Sequence, residues 1–165
     1  MEIPRDLSEE FSAVGSYIKN DQENPLLILS QYLAINKLAS LEEISERDVH
    51  LKLSPQGQRV FQKVFLRPEF RALLSIYDPL LYPVPYDVSN SNLDDQTIQK
   101  IFTAYWARKA RLYDITATSK YVVRRRNEAQ KMFDNFRQRS EPLTIEEAKP
   151  LIRQLVESAL GEQEI

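Results

Sequence analysis

The sequence predicts an all-α protein, a helical bundle of about five to six helices with a Pro-rich central loop. Three observations carry that expectation. Only three glycines occur in 165 residues. The long segments repeat their apolar residues at helical spacing, and several open on a capping signal. The length suits a single domain over 1–165 with a real core. A hydrophobic content of 42% excludes a disordered chain despite 28% charged residues.

Taken in order, "SEEFSAVGSYIKND" predicts a first helix from about Ser8, with Phe11, Val14 and Ile18 on one stripe. "NPLLILSQYLAINKLA" predicts a second, with Asn24 as N-cap and Pro25 at the first helical position, where a missing N–H costs nothing. It is apolar almost all round, which marks it as the core helix. "DVHLKLS" alternates Val49, Leu51 and Leu53 with polar residues, the period of a half-buried strand. No second alternating segment offers a partner, so an extended connector is the expectation. Ser54 and Pro55 start the next helix, and Pro68 restarts one after it. The loop over 78–92 carries Pro79, Pro83 and Pro85 and then a Ser/Asn cluster, and it separates two helical halves, about 8–77 and 93–161.

The second half predicts two long helices. One begins at Asp94 and Asp95 and buries Ile98, Ile101, Phe102, Tyr105 and Leu112; the other buries Val122, Ala129, Phe133 and Phe136. A capping box from Thr144 to Glu147 opens the last helix, Pro150 predicts a kink or restart, and Gly161 predicts its end. With Leu26, Leu29 and Leu33 these apolar stripes make up the expected core.

Several function classes fall away at this stage. The chain has no cysteine, so disulfides and thiolate metal sites are excluded. "MEIPRDLSEEF" is acidic where a signal peptide is basic, and no apolar run approaches the roughly 18 residues of a membrane span. The expectation is a soluble, cytoplasmic protein. His50 is the lone histidine, and no phosphate-cradling glycine loop, nucleophile motif or metal-ligand spacing accompanies it. The sequence therefore predicts no enzyme, no cofactor and no metal, with His50 dispensable.

The charge is distributed unevenly. Between Gln96 and Ser140 stand eleven Lys and Arg against three acids, a net of +8, within a chain of net charge -2. The stretch "KYVVRRRNEAQKMFDNFRQR", from Lys120 to Arg139, holds seven of those cations. At about 100° per residue, Lys120, Arg124 and Lys131 fall in one narrow sector opposite the apolar stripe, spaced roughly 6 Å and 10 Å along the axis. That spacing suits phosphates on one strand. Arg126 and Arg137 lie on the shoulder, Arg125 lies near the apolar stripe where a buried acid is its expected partner, and on the preceding helix Lys100, Arg108 and Arg111 flank the apolar face. If the two helices are antiparallel, these bands merge. Arg59, Lys63, Arg67 and Arg71 form a second, weaker ladder that Pro68 interrupts. Trp106, at the edge of an apolar face, is a candidate base-stacking residue. Three readings of the basic face stand side by side: plain solvated surface, a polyanion-binding face, and a docking face for an acidic protein, as in a helical adaptor or assembly factor.

A cysteine-free helical chain of this size, with "AYWARKAR" and "KYVVRRRNEAQK" as its basic elements, resembles the small subunit of a multi-subunit (class 1) CRISPR surveillance complex. The closest likeness is to the separately made helical C-terminal part of a subtype I-D large subunit. The resemblance implies antiviral defence, guide RNA and target DNA backbones as ligands, and other subunits, copies of the chain among them, as partners. Over eleven residues, "LKLSPQGQRVF" also resembles the strand and helix bordering the wing of winged-helix DNA-binding proteins, with no recognition helix before it.

Overall fold

Asn24 and Pro25 start the first helix as their chemistry dictates. In the computed structural model, which describes residues 16–82, 88, 89, 91–116 and 119–164, helix α1 spans Pro25–Ile35 and the Asn24 side chain accepts from the Leu26 N–H. Leu27, Ile28, Leu29 and Leu33 are buried. The helix ends in a Schellman motif: Lys37 N–H donates to the Ala34 carbonyl and Leu38 N–H to that of Leu33, with Lys37 at a φ of 61°. Leu33 and Leu38, which such a motif brings together, are both buried.

The described residues are mostly helical but not all-α. A three-stranded antiparallel sheet of order β1-β3-β2 is built from β1 (Ser16–Lys19), β2 (Ala39–Glu43) and β3 (Asp48–Leu53). The connector expected at "DVHLKLS" is thus the central strand, with Val49 and Leu51 buried. Its partners leave no clear signal in the sequence, because neither alternates cleanly and the turn between β2 and β3 has no glycine. Ser45 makes that turn instead, its hydroxyl accepting from the Arg47 and Asp48 N–H groups. Ile18, expected on a helical stripe, lies in β1 on the buried face of the sheet. The rest of that expected first helix, over 8–15, is outside the described residues.

Helix α2 (Pro55–Phe65) follows β3 directly, capped by Ser54, whose hydroxyl accepts from the Gly57 N–H. A Cβ on Gly57 would stand 2.1 Å from the Leu38 carbonyl oxygen, which already accepts from the Ser54 N–H and hydroxyl. Only glycine fits there. "LKLSPQGQRVF" does form a strand and a helix, but the helix before the hairpin, α1, is buried on most sides and presents no polar recognition face.

By its contacts the chain forms two compact units, 1–66 with 149–165, and 67–148. Of the expected loop over 78–92, residues 83–87 and 90, with Pro83 and Pro85, are outside the described set. The second unit holds α3 (Pro68–Tyr77), α4 (Asp95–Ile115), α5 (Lys120–Arg137) and the first turn of α6 (Ile145–Glu164). Arg67 before α3 is extended, with ψ of 137°, as a residue preceding proline must be. The Thr144–Glu147 capping box is formed, with Glu147 N–H donating to Thr144 Oγ1 and Thr144 N–H to Glu147 Oε1. Helix α6 runs through both Pro150 and Gly161, so neither the restart nor the predicted end occurs.

Of the expected core, Leu29, Leu33 and Tyr105 are buried, whereas Leu26, Phe102, Leu112, Val122, Phe133 and Phe136 are half-buried. The last three belong to α5, whose one fully buried side chain is Ala129.

Two substitutions test the α1–α2 region in opposite directions. Gly57→Ala should destabilise by about 1 to 3 kcal/mol, because backbone must move to admit the methyl. Lys37→Gly should stabilise by about 0.5 to 1 kcal/mol by relieving the left-handed conformation. Both are read by urea denaturation, and a neutral Gly57→Ala would contradict the close approach.

Candidate nucleic-acid interface

Asp94 starts α4, its carboxylate accepting from the Thr97 N–H at 2.7 Å; the Thr97 side chain, together with that N–H, holds its pKa below the ordinary 3.8. Ser119 starts α5 by accepting from the Val122 N–H. The two helices pack antiparallel: Arg126 Nη1 lies 3.1 Å from Asp114 Oδ1 at one end, and the Phe102 and Phe136 rings stack 5.7 Å apart at the other.

This hairpin sorts the cations. Lys120, Arg124 and Lys131 are exposed and make no hydrogen bond or ion pair with any described residue. Arg111 on α4 is also exposed and without such a partner. The remaining candidates are engaged. Lys100 Nζ sits 2.5 Å from Glu147 Oε2, Arg126 pairs with Asp114, and Arg137 pairs with Asp134 at 3.2 Å. Arg108 Nε donates to the Tyr77 carbonyl at 3.3 Å. The two basic bands are therefore neighbours, but the α4 band is largely consumed by internal partners.

Arg125 is exposed, and its partner is the Tyr121 hydroxyl, which it reaches through Nη2 at 2.7 Å, in place of the buried acid expected for it. Trp106 is half-buried, edge-on to Tyr105, with Lys109 Nζ 5.1 Å from its ring centroid. One face of that indole thus carries a lysine. The exposed aromatic on the basic helix is instead Tyr121, at 63% exposure.

The weaker ladder is broken as Pro68 requires, and it divides between the units. Lys63 pairs with Glu162 at 3.0 Å in the first unit; Arg59 is exposed there and Arg71 half-buried in the second. Arg67 binds Glu69 in a fork, Nε to Oε2 at 3.1 Å and Nη2 to Oε1 at 3.0 Å. Glu69 is buried and also accepts from the Asn92 N–H. Burial pushes its carboxyl upward, but Arg67 and the backbone N–H groups outweigh that and hold its pKa below the ordinary 4.5. Arg67 is thereby a structural cation.

His50 lies on the exposed face of the sheet, paired with Tyr17 on one side and Glu42 on the other, its ring 5.0 Å from that of Tyr17. No group of three or more metal-ligating side chains occurs among the described residues, and none of their helices is long and apolar enough to cross a membrane. A recess of about 390 Å³ that the charge pattern alone did not reveal lies in the second unit, lined by Gln96, Gln99, Lys100, Arg139, Ser140 and Glu141. No family profile, curated protein or solved structure matches the chain.

The Arg67–Glu69 fork has a pH signature. A carboxyl whose folded pKa is depressed contributes stability that is full above its unfolded value and is lost as pH falls through the folded value. Glu69→Gln should cost about 1 to 3 kcal/mol at neutral pH and flatten the loss of stability on acidification below 4.5. Denaturation midpoints across a pH series check this, and parallel acid limbs in the two proteins would contradict it.

Proposed function

We propose that this chain is a non-catalytic binder of single-stranded nucleic-acid backbones, acting as the small subunit of a CRISPR-type ribonucleoprotein complex and touching guide RNA or target strand without reading sequence. The single observation that carries the binding is the unneutralised row Lys120, Arg124 and Lys131 on one face of α5, beside neighbours that are paired internally. A surface shaped for solubility alone mixes signs. Here the row also opens at the first residue of the helix, whose first turn contains no acid, so a cation sits where the helix dipole disfavours it. An arrangement unfavourable to the folded chain is accounted for when an external polyanion supplies the missing charge.

The assembly part of the proposal rests on the resemblance of size, helical build and charge layout. The three-stranded sheet is a departure from that resemblance and is confined to the first unit, whereas the basic hairpin belongs to the second. In such an array, weak backbone contacts from each copy gain from effective concentration.

Replacing Lys120, Arg124 and Lys131 together by alanine should leave the denaturation midpoint nearly unchanged, because exposed unpaired charges contribute little to folding. Affinity for a generic single strand should fall for every sequence alike. The slope of log K against log salt should decrease by about 2, at roughly 0.7 per phosphate contact. Anisotropy titrations over a salt series measure both. An unchanged slope would remove this face from nucleic-acid binding and leave the two other readings, a solvated surface and a docking face for an acidic protein.

A further inference from the structure

Beside the unpaired cations of α5 stands one side chain that neither packing nor charge accounts for. Tyr121, in the first turn of the helix, is 63% exposed, whereas every other aromatic side chain of α4 and α5 is buried or half-buried. A lone exposed aromatic is ordinary on a protein surface. This one is held in place. Arg125 donates to its hydroxyl from Nε at 3.0 Å and from Nη2 at 2.7 Å, with the guanidinium carbon 5.1 Å from the ring centroid. Two bonds to one oxygen set the guanidinium toward the hydroxyl end of the ring and fix the ring's tilt, and at that exposure much of the ring stays open to solvent. Its neighbours matter equally. Residues three and four apart lie side by side on a helix, with Cβ atoms about 5–6 Å apart. Tyr121 therefore stands beside Arg124 as well as Arg125, and next in sequence to Lys120. At about 100° per residue it sits on the flank of the cation row, about 60° round from Arg124. The one acid on that flank of α5, Glu128, lies about two turns further on.

We infer that Tyr121 is a stacking platform for one base of the bound strand, and that Arg125 is the residue that positions its ring. The inference rests on the reading of Lys120, Arg124 and Lys131 as a phosphate-binding row. A strand whose phosphates follow that row carries its bases to the side, where a ring on the flank meets one of them. Single-strand binders combine these same two parts, a cationic track for the backbone and an aromatic face for a base. Every base has a π face, so the platform adds affinity and leaves the binding blind to sequence.

The test sets a generic single strand against an abasic strand of the same length and charge, with the intact chain, in anisotropy titrations from low salt upward. Tyr121→Ala should weaken binding of the normal strand about tenfold and leave that of the abasic strand unchanged. The slope of log K against log salt should not fall, because no phosphate contact is removed. Tyr121→Phe keeps the ring and gives up only the hydroxyl that Arg125 holds, and it should retain most of the lost affinity. Both variants should melt close to the wild type, since the side chain is exposed. In the wild type the ring resonances of Tyr121 should move upfield with the normal strand and stay in place with the abasic one. Unchanged affinity in Tyr121→Ala would overturn the platform and leave the backbone reading standing. An equal loss on both strands would overturn it as well, by showing that the residue acts on the phosphate contacts alone. If the wild type binds neither strand, the backbone reading falls and the platform falls with it.

Discussion

Helix α5 is held along one narrow seam, and the rest of the second unit's surface chemistry depends on it. Its single fully buried side chain is Ala129, small enough to let the helix lie close against α4. Around it Val122, Phe133 and Phe136 are half-buried, and the contact is pinned at its two ends by Arg126 with Asp114 and by Phe102 with Phe136. A helix attached along so thin a stripe turns more than half its circumference outward. Asp114 on α4 reaches its shoulder but not the opposite side. The consequence is chemical: Arg126 is neutralised from across the seam, while Lys120, Arg124 and Lys131 on the far side lie beyond the reach of α4's acids.

The same geometry explains which positions of the cations were legible in the sequence. Helical spacing alone was enough to separate the outward row from the shoulder, because the angular position of a residue on a regular helix follows from its number. What spacing could not supply was the identity of partners from other elements. Lys100 meets Glu147 only because the capping box of α6 fixes that carboxylate beside the start of α4, and Arg108 meets a carbonyl at the end of α3. Arg125 meets a tyrosine four residues earlier on its own helix, a local contact of i, i+4 spacing, instead of the expected acid.

The fold was legible where a proline, a capping residue or a long apolar stripe spoke locally. Asn24, Ser54, Asp94 and Thr144 each cap as their chemistry requires. The sheet was not legible, because its evidence is distributed. One strand alternates, its two neighbours are short, and the turn joining two of them is closed by a serine hydroxyl instead of a glycine. Gly57 shows the same limit from another side. In sequence it is an ordinary glycine near a helix start, and only the return of the chain after α1 brings the Leu38 carbonyl against it. Gly161 and Pro150 err in the opposite sense, as local breakers over which the last helix continues.

The central claim, that the far side of α5 is the surface left open for a polyanion, is tested most directly by lysine footprinting. The folded chain is acylated with and without a saturating generic single strand at low salt, and modification is read residue by residue by mass spectrometry. Lys120 and Lys131 should be protected while the exposed Lys19 and Lys37 of the first unit label as before. Strand binding that protects all four lysines alike, or that leaves Lys120 and Lys131 fully labelled, would contradict it.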